Sequence, residues 1–339
     1  MGNRRSDGVA GRGDADPGPH PVEVHPSVSR LPEPLRELSW SLPQTFLGLD
    51  EAAGAFASAR AVVFPVPYEA TTSYGGGTRG GPAAIIDASR YIEVYDREMD
   101  AETGPAIGIH TLPPIELTRA GPAEAMRELR DAHDRVLEAA GDRFVLMLGG
   151  EHAVSAPAIR SHAARLEASA GERLTVLQFD AHADLRAEYE GSPHSHASAM
   201  ARVLDVADVV GVGLRGVSAE EVEVARSRGG VHLIWADDMW ASDDWMDEAI
   251  DRLGEKVYIT FDVDYFDPSL VPSTGTPEPG GGDWYRTLRF LRRVFEEREV
   301  VGCDVVELAP TPGLHAPDFL VAKLVYKLLG YRFRSLFGR

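Results

Sequence analysis

Short β-branched runs alternate with longer amphipathic stretches along most of the chain, the pattern of a parallel sheet joined by crossover helices. The apolar runs Ala61–Pro65, Phe144–Leu148, Leu174–Phe179, Val209–Val212, His232–Ile234, Val257–Phe261 and Val300–Val306 read as strands. Between them lie helical stretches at Pro122–Ala140, Ser155–Ser169, Ala219–Arg228, Asp244–Leu253, Trp284–Glu297 and Pro317–Leu329. In Pro122–Ala140 the residues Ala125, Leu129, Ala132, Val136 and Leu137 recur on a helical period, and Gly141 supplies the stop. This order predicts a three-layer α/β/α domain around a mostly parallel sheet.

The periodic pattern starts only after residue 45. Pro17, Pro19, Pro21, Pro26, Pro32 and Pro34 stand among glycines and polar residues, so residues 1–45 sustain neither a long helix nor a central strand and read as a mobile arm. Residues 46–339 then form one large domain, a length that α/β sheets covered on both faces commonly reach. No internal repeat is visible.

The formal charge is −19. Such a surface repels nucleic acid and anionic headgroups and attracts cations, whether metal ions or polyamine-like molecules. Cys303 is the sole cysteine, which excludes an intrachain disulfide or a thiolate-rich metal site and fits a reducing cytoplasm. Arg4 and Arg5 are not followed by an apolar stretch, so no secretory signal is read. No run approaches the roughly 20 apolar residues of a membrane span.

In sheets of this kind the chemistry lies at the carboxyl ends of the strands. The run Leu174–Phe179 leads directly into Asp180, His182 and Asp184, whose two-residue spacing puts them on one face of an extended chain. Val257–Phe261 delivers Asp262 and Asp264 in the same way, and Phe144–Leu148 ends at Gly149, Gly150, Glu151 and His152. One Asp-x-His after a strand is commonly a hydrogen-bonded turn. Three such motifs at three strand ends crowd carboxylates that would repel one another without cations. Nitrogen and oxygen donors without sulfur suit Mn²⁺, Mg²⁺, Fe²⁺ or Zn²⁺, and a carboxylate-rich set leans toward Mn²⁺.

These residues resemble the ureohydrolase family, which groups arginases, agmatinases and related amidinohydrolases. The resemblance spans residues 60 to 330 and rests on Leu148-Gly-Gly-Glu-His152, Phe179-Asp-Ala-His-Ala-Asp184, Thr260-Phe-Asp-Val-Asp264 with Asp267-Pro268, and Thr274-Gly-Thr-Pro277 with Gly280-Gly281. The segment from Pro67 to Arg79 and the segment from Asp184 to Gly191 with Ser195 and His196 are similar to the agmatinase branch. The resemblance implies two Mn²⁺ per chain, one on His152, Asp180, Asp184 and Asp262, the other on Asp180, His182, Asp262 and Asp264. Water activated between the ions would attack a guanidinium carbon and release urea and an amine. The same mapping puts Glu307 where a carboxylate pairs with the guanidinium and His196, rather than His194, where a histidine shuttles a proton. It also implies a homo-oligomer of three or six copies.

Arginases look to carry an aspartate where Ser218 stands and an asparagine where Arg186 stands, so a decarboxylated substrate, agmatine, is expected first. Aminopropylagmatine, guanidinobutyrate and arginine are the alternatives. Glu188 or Glu190 could partner a distal ammonium, although surface acids of a loop are more commonly solvated, and Arg186 could meet a carboxylate. Histone-deacetylase-like single-zinc enzymes share this fold, and a metal-binding relative without turnover is the non-enzymatic alternative. Gly211, Gly213 and Gly216 match a dinucleotide fingerprint as a decoy, and Gly75-Gly-Gly77 reads as a flexible active-site loop. Trp235, Trp240, Trp245 and Trp284 read as core or interface anchors. His110, His133, His162, His232 and His315 match no ligand spacing, and Cys303 reads as a small core residue.

Overall fold

Each apolar run takes its place in one sheet of eight parallel strands, in the order β4-β1-β5-β10-β9-β6-β7-β8. The strands are β1 Ala61–Val66, β4 Ile109–Thr111, β5 Phe144–Gly149, β6 Leu174–Phe179, β7 Ala207–Leu214, β8 Val231–Trp235, β9 Lys256–Asp262 and β10 Glu299–Val306. A separate two-stranded ribbon joins β2 Tyr95–Asp96 to β3 Ala101–Glu102. The computed structural model describes residues 41–50 and 52–338, with residues 32 and 33. The arm expected over residues 1–45 lies for the most part outside the described residues.

The helices are α1 Gly81–Ser89, α2 Thr103–Ile107, α3 Pro122–Ala140, α4 Ser155–Ala170, α5 Ala219–Ser227, α6 Ala236–Ala241, α7 Trp245–Arg252, α8 Trp284–Glu297 and α9 Ala316–Arg332. Along β5, Val145 and Met147 belong to one core, and Leu146 and Leu148 to the other. This is the two-residue alternation of a sheet buried on both faces. The first core adds Leu129 of α3 and Ile159 of α4. The second adds Ile85 of α1, Ile250 of α7, Phe290 of α8 and Leu328 of α9. The three layers follow from the strand pattern.

The strands run past their apolar cores, since β7 begins at Ala207 and β10 at Glu299. The edge strand β4 and helices α2 and α6 escape a periodicity reading because each is short, and α1, as long as α5, was not anticipated. The glycine decoy dissolves on register: Gly211 and Gly213 lie inside β7, not in a strand-to-helix turn. Gly213 has φ 94°, and a Cβ there would sit 2.5 Å from the Tyr265 ring. Trp245 is buried in the core, whereas Trp240 is exposed and donates Nε1–H to the Gly281 carbonyl. Cys303 is buried in β10, as expected, and burial pushes its thiol up.

His133 of α3 and His162 of α4 are buried against the sheet, their rings 5.5 Å apart, with His162 5.0 Å from the Tyr258 ring. Neither nitrogen of His133 has a hydrogen-bond partner, and Nε2 of His162 has none either. Burial holds His133 down to about 4 and His162 well below the ordinary histidine range. Gly302 makes room for this packing: a Cβ there would lie 2.5 Å from the His162 ring.

Candidate active site

The four central strands β5, β10, β9 and β6 are neighbours, and their carboxyl ends bring His152, Glu307, Asp262 with Asp264, and Asp180 with His182 and Asp184 together. His152 opens a short 3₁₀ turn after β5. Its Nδ1 lies 3.0 Å from Asp180 Oδ2, 2.9 Å from Asp184 Oδ2 and 3.4 Å from Asp262 Oδ2. His182 Nδ1 lies 2.9 Å from Asp264 Oδ2 and 3.6 Å from Asp180 Oδ1. All six side chains read from the strand ends therefore converge.

The route to convergence differs from the extended alternation expected. The chain bends at Ala181 and His182, and Asp180 Oδ1 accepts the amide of His182 at 2.7 Å. At the end of β9 the same turn recurs, Asp262 Oδ1 accepting the amide of Asp264 at 2.8 Å. Aspartate supports such local turns readily. Both aspartates thereby commit one oxygen to the backbone and turn Oδ2 toward His152. Asp184 then takes φ 52° and Glu307 φ 65°, left-handed conformations unusual outside glycine and found mainly at functional sites. The Asp184 bend is held by the Leu185 amide, which donates to buried Glu221, and by the Ala201 amide, which donates to the Asp184 carbonyl.

Two groups of side chains could each hold an ion: His152, Asp180 and Asp262, and Asp180, His182 and Asp264, with ligand atoms within 4.8 Å of one another. The donor set fits. Adjacent ligands about 2.1 Å from an ion lie about 3 Å apart, which is the spacing around His152 Nδ1. That nitrogen is buried and, despite three carboxylate oxygens around it, makes no hydrogen bond. Electrostatics point the same way. Burial pushes Asp262 well up, reinforced by Asp264 and Asp180, and it lifts Asp184 to about 7 with help from Asp180. Burial also opposes the charged form of Asp180, but the His152 and His182 contacts outweigh it and hold that carboxyl well below its usual range. Burial works against charged His182, yet Asp264 and Asp180 raise it to about 12. The cluster without cations thus retains protons that cations can displace.

Glu307 is buried, with Oε1 accepting the His152 amide at 2.6 Å. Its Oε2 faces Gly275, where a Cβ would stand 3.8 Å away. Gly75 donates its amide to the Gly275 carbonyl at 3.1 Å, so the glycine loop closes over this point. His196 Nδ1 is 3.8 Å from Glu307 Oε1, and its Nε2 is buried without a partner. Burial, then the nearby His152 and His182, press His196 down to about 4. His194, its competitor, is aligned elsewhere and shows no contact with Glu307 among the described residues.

Four supporting residues were not anticipated. Thr260 and Asp304 stand behind His152: Thr260 Oγ1 is 2.9 Å from His152 Nε2 and donates to Asp304 Oδ1 at 2.7 Å. Glu221 buttresses the Asp184 bend, and Glu151 is fully buried beside His152. Thr260 and Glu151 lay inside motifs already singled out, and for Asp304 a charged residue in an apolar strand run was the available signal. Ser218 caps α5, donating its hydroxyl to Glu221 Oε2 at 2.7 Å. Arg186 lies 3.9 Å from the same carboxylate, with its guanidinium 5.0 Å from the Tyr189 ring centre. Glu188 and Glu190 are exposed.

Comparison with known proteins places this geometry. The model of the Arginase family matches residues 59–330. The N(1)-aminopropylagmatine ureohydrolase of Synechocystis sp. is 40% identical over 295 residues, covering 85% of this chain and 94% of the relative. The agmatinase of Pyrococcus horikoshii is 32% identical over 275 residues, covering 79% and 90%. The solved structure of the agmatine ureohydrolase of Thermoplasma volcanium superposes with TM-score 0.76 at 27% identity, over 89% of this chain and 98% of that one. The chain belongs to the arginase family and is a ureohydrolase, a hydrolase that acts on guanidino groups.

Proposed function

We propose that the chain binds two Mn²⁺ ions and hydrolyses N(1)-aminopropylagmatine to urea and the corresponding amine. The observation that carries the metal assignment is His152 Nδ1, buried, unpartnered and ringed by Oδ2 of Asp180, Asp184 and Asp262. One ion belongs to His152, Asp180, Asp184 and Asp262, and the other to Asp180, His182, Asp262 and Asp264. When bound, such a pair supplies Lewis acidity and lowers the pKa of water toward neutrality.

The chain's own residues supply the rest. Glu307 presents a buried carboxylate under the Gly275 backbone, where a planar guanidinium can lie without meeting a side chain. One of its oxygens already takes the His152 amide, so the acceptor is oriented before substrate arrives. His196, beside it, mostly shielded from water and held neutral, can take a proton from the attacking water at its free Nε2 and pass it to the departing amine. The Gly75 amide, donated to the Gly275 carbonyl, sets the glycine loop beside this acceptor.

The substrate tail is a separate inference. Ser218 is engaged by Glu221 in capping α5, so its hydroxyl is not free to receive the charged end of an α-amino acid. Exposed Glu188 and Glu190 offer acceptors for a distal ammonium. Agmatine, the first expectation from the motifs, becomes the second reading because the aminopropylagmatine enzyme is the more similar relative, at 40% against 32%. Urea release from the Mn²⁺-loaded protein should be measured with aminopropylagmatine, agmatine, arginine and guanidinobutyrate. The longer polyamine substrate should give the highest kcat/KM. Arginine turned over fastest would sink the reading, and metal analysis giving one zinc per chain would sink the two-ion site. The same resemblance carries a homo-oligomer of three or six copies, which light scattering tests. A cytoplasmic location is proposed from the cysteine content alone. No helix among the described residues is long and apolar enough to cross a membrane.

A further inference from the structure

The carboxylate of Glu151 is committed to the segment that follows β1. Oε2 accepts the amides of Ala70 and Thr71 at 2.7 Å each, and Oε1 accepts the Thr71 hydroxyl at 2.7 Å. The same hydroxyl oxygen accepts the backbone amide of His196 at 3.0 Å. His196 itself sits in the long connection between β6 and β7, which holds the 3₁₀ turns His196–Ser198 and Met200–Arg202 and one isolated bridge between Tyr189 and Ser192. Such a connection does not fix an imidazole to a fraction of an ångström by its own helical or ladder bonds. Its place relative to Glu307, 3.8 Å from Nδ1 to Oε1, has to be imposed from outside.

We propose that Glu151 and Thr71 are positioning residues for the reaction. Glu151 takes the Thr71 proton and so fixes the direction of its lone pairs, and one of these holds the His196 amide. The turn that presents His152 to the ions therefore also sets the distance of the His196 imidazole from Glu307. This inference rests on the role given to His196 above. The bland alternative is that Glu151 merely satisfies two buried amides, and the Thr71 hydroxyl separates the two ideas because it alone reaches His196.

Thr71→Val keeps the shape of the side chain and both amide bonds to Glu151 while deleting the link. With the substrate turned over fastest in the panel, kcat should fall about 10- to 100-fold, the scale of a misplaced catalytic group, with KM changed less than about threefold. Thr71→Ser should restore kcat to within about threefold of the parent. In a His196→Ala background, Thr71→Val should have no further effect, the signature of two residues acting as one unit. Hydrogen exchange at the His196 amide should quicken in Thr71→Val, a readout that needs no turnover. A Thr71→Val defect undiminished in the His196→Ala background overturns the link while leaving the role of His196 standing. Unchanged kcat in Thr71→Val, or unchanged exchange at that amide, also overturns it. A His196→Ala variant with parental turnover overturns the role of His196, and the link with it.

Discussion

Thr260 Oγ1 lies 2.9 Å from Nε2 of His152 and gives its own proton to Asp304. The hydroxyl has one proton to give, so toward His152 it accepts, and the imidazole carries hydrogen on Nε2. In the ion-free protein Asp180, Asp184 and Asp262 favour the charged imidazole, and an ion that displaces the Nδ1 proton would meet a lone pair already aimed at it. Partners of this kind behind a ligand fix its tautomer and raise its basicity.

Thr260→Val should therefore weaken Mn²⁺ binding about 10- to 100-fold, the range for loss of such a partner, and Thr260→Ser should recover most of it. Titration of metal-free protein with Mn²⁺ measures this directly. Equal affinities in Thr260→Val and the parent would show that the tautomer is set elsewhere.

Loading the site should stabilise the fold. An ion at 100 times its dissociation constant adds about 2.7 kcal/mol, which for a chain of this size corresponds to a midpoint shift of roughly 4 °C. Asp184 at about 7 and His182 at about 12 hold protons in the ion-free protein, and ligation must displace them. Mn²⁺ affinity should accordingly rise with pH across the neutral range. Calorimetry in two buffers of different ionisation enthalpy counts the released protons, and a count of zero would contradict the prediction.

His133 links stability to pH through a different route. Its folded pKa, about 4, lies below the ordinary value of 6.5, so the unfolded chain binds more protons between those values. Stability is complete above pH 6.5 and declines as pH falls toward 4. At about 1.4 kcal/mol per pH unit the decline reaches on the order of 3 kcal/mol. Denaturant unfolding at pH 7 and pH 5 should show a smaller loss for His133→Leu than for the parent. Parallel losses in both proteins would assign the acid sensitivity to other groups.

Gly216 is a further point of sensitivity, for steric reasons. A Cβ there would lie 2.8 Å from Cδ2 and 2.9 Å from Nε2 of His182, and 3.1 Å from Cγ of Glu278. Gly216→Ala should push the His182 ring off its position, lowering bound metal toward one ion per chain and kcat by at least about tenfold. The fold should remain, since Gly216 is not among the positive-φ glycines. Two ions per chain with parental kcat would mean the ring has room to move.

The layers and the six convergent side chains were legible because both depend on spacing. The two-residue alternation in β5 and the strand-end motifs are periodic facts of the sequence. What escaped depends on partners distant along the chain. Thr71 meets His196, and Thr260 meets Asp304, only once the strands lie side by side. The turns at Asp180 and Asp262 escaped for a local reason: their Oδ1-to-amide bonds replace the extended geometry that the two-residue spacing suggested. Trp240, read as a core or interface anchor, is not in the core but lies exposed with its indole N–H on a carbonyl.

The central strand order β5-β10-β9-β6 joins site residues that are far apart in sequence, the metal-site His152 after β5 and Glu307 after β10. A slip of one residue in any of these pairings would turn a ligand to the opposite face of the sheet. High-affinity metal capture is consequently available only to chains whose four middle strands have all paired correctly. During synthesis the cluster cannot assemble until β10, which lies between β5 and β9, has emerged, so a bound ion would report a sheet already paired.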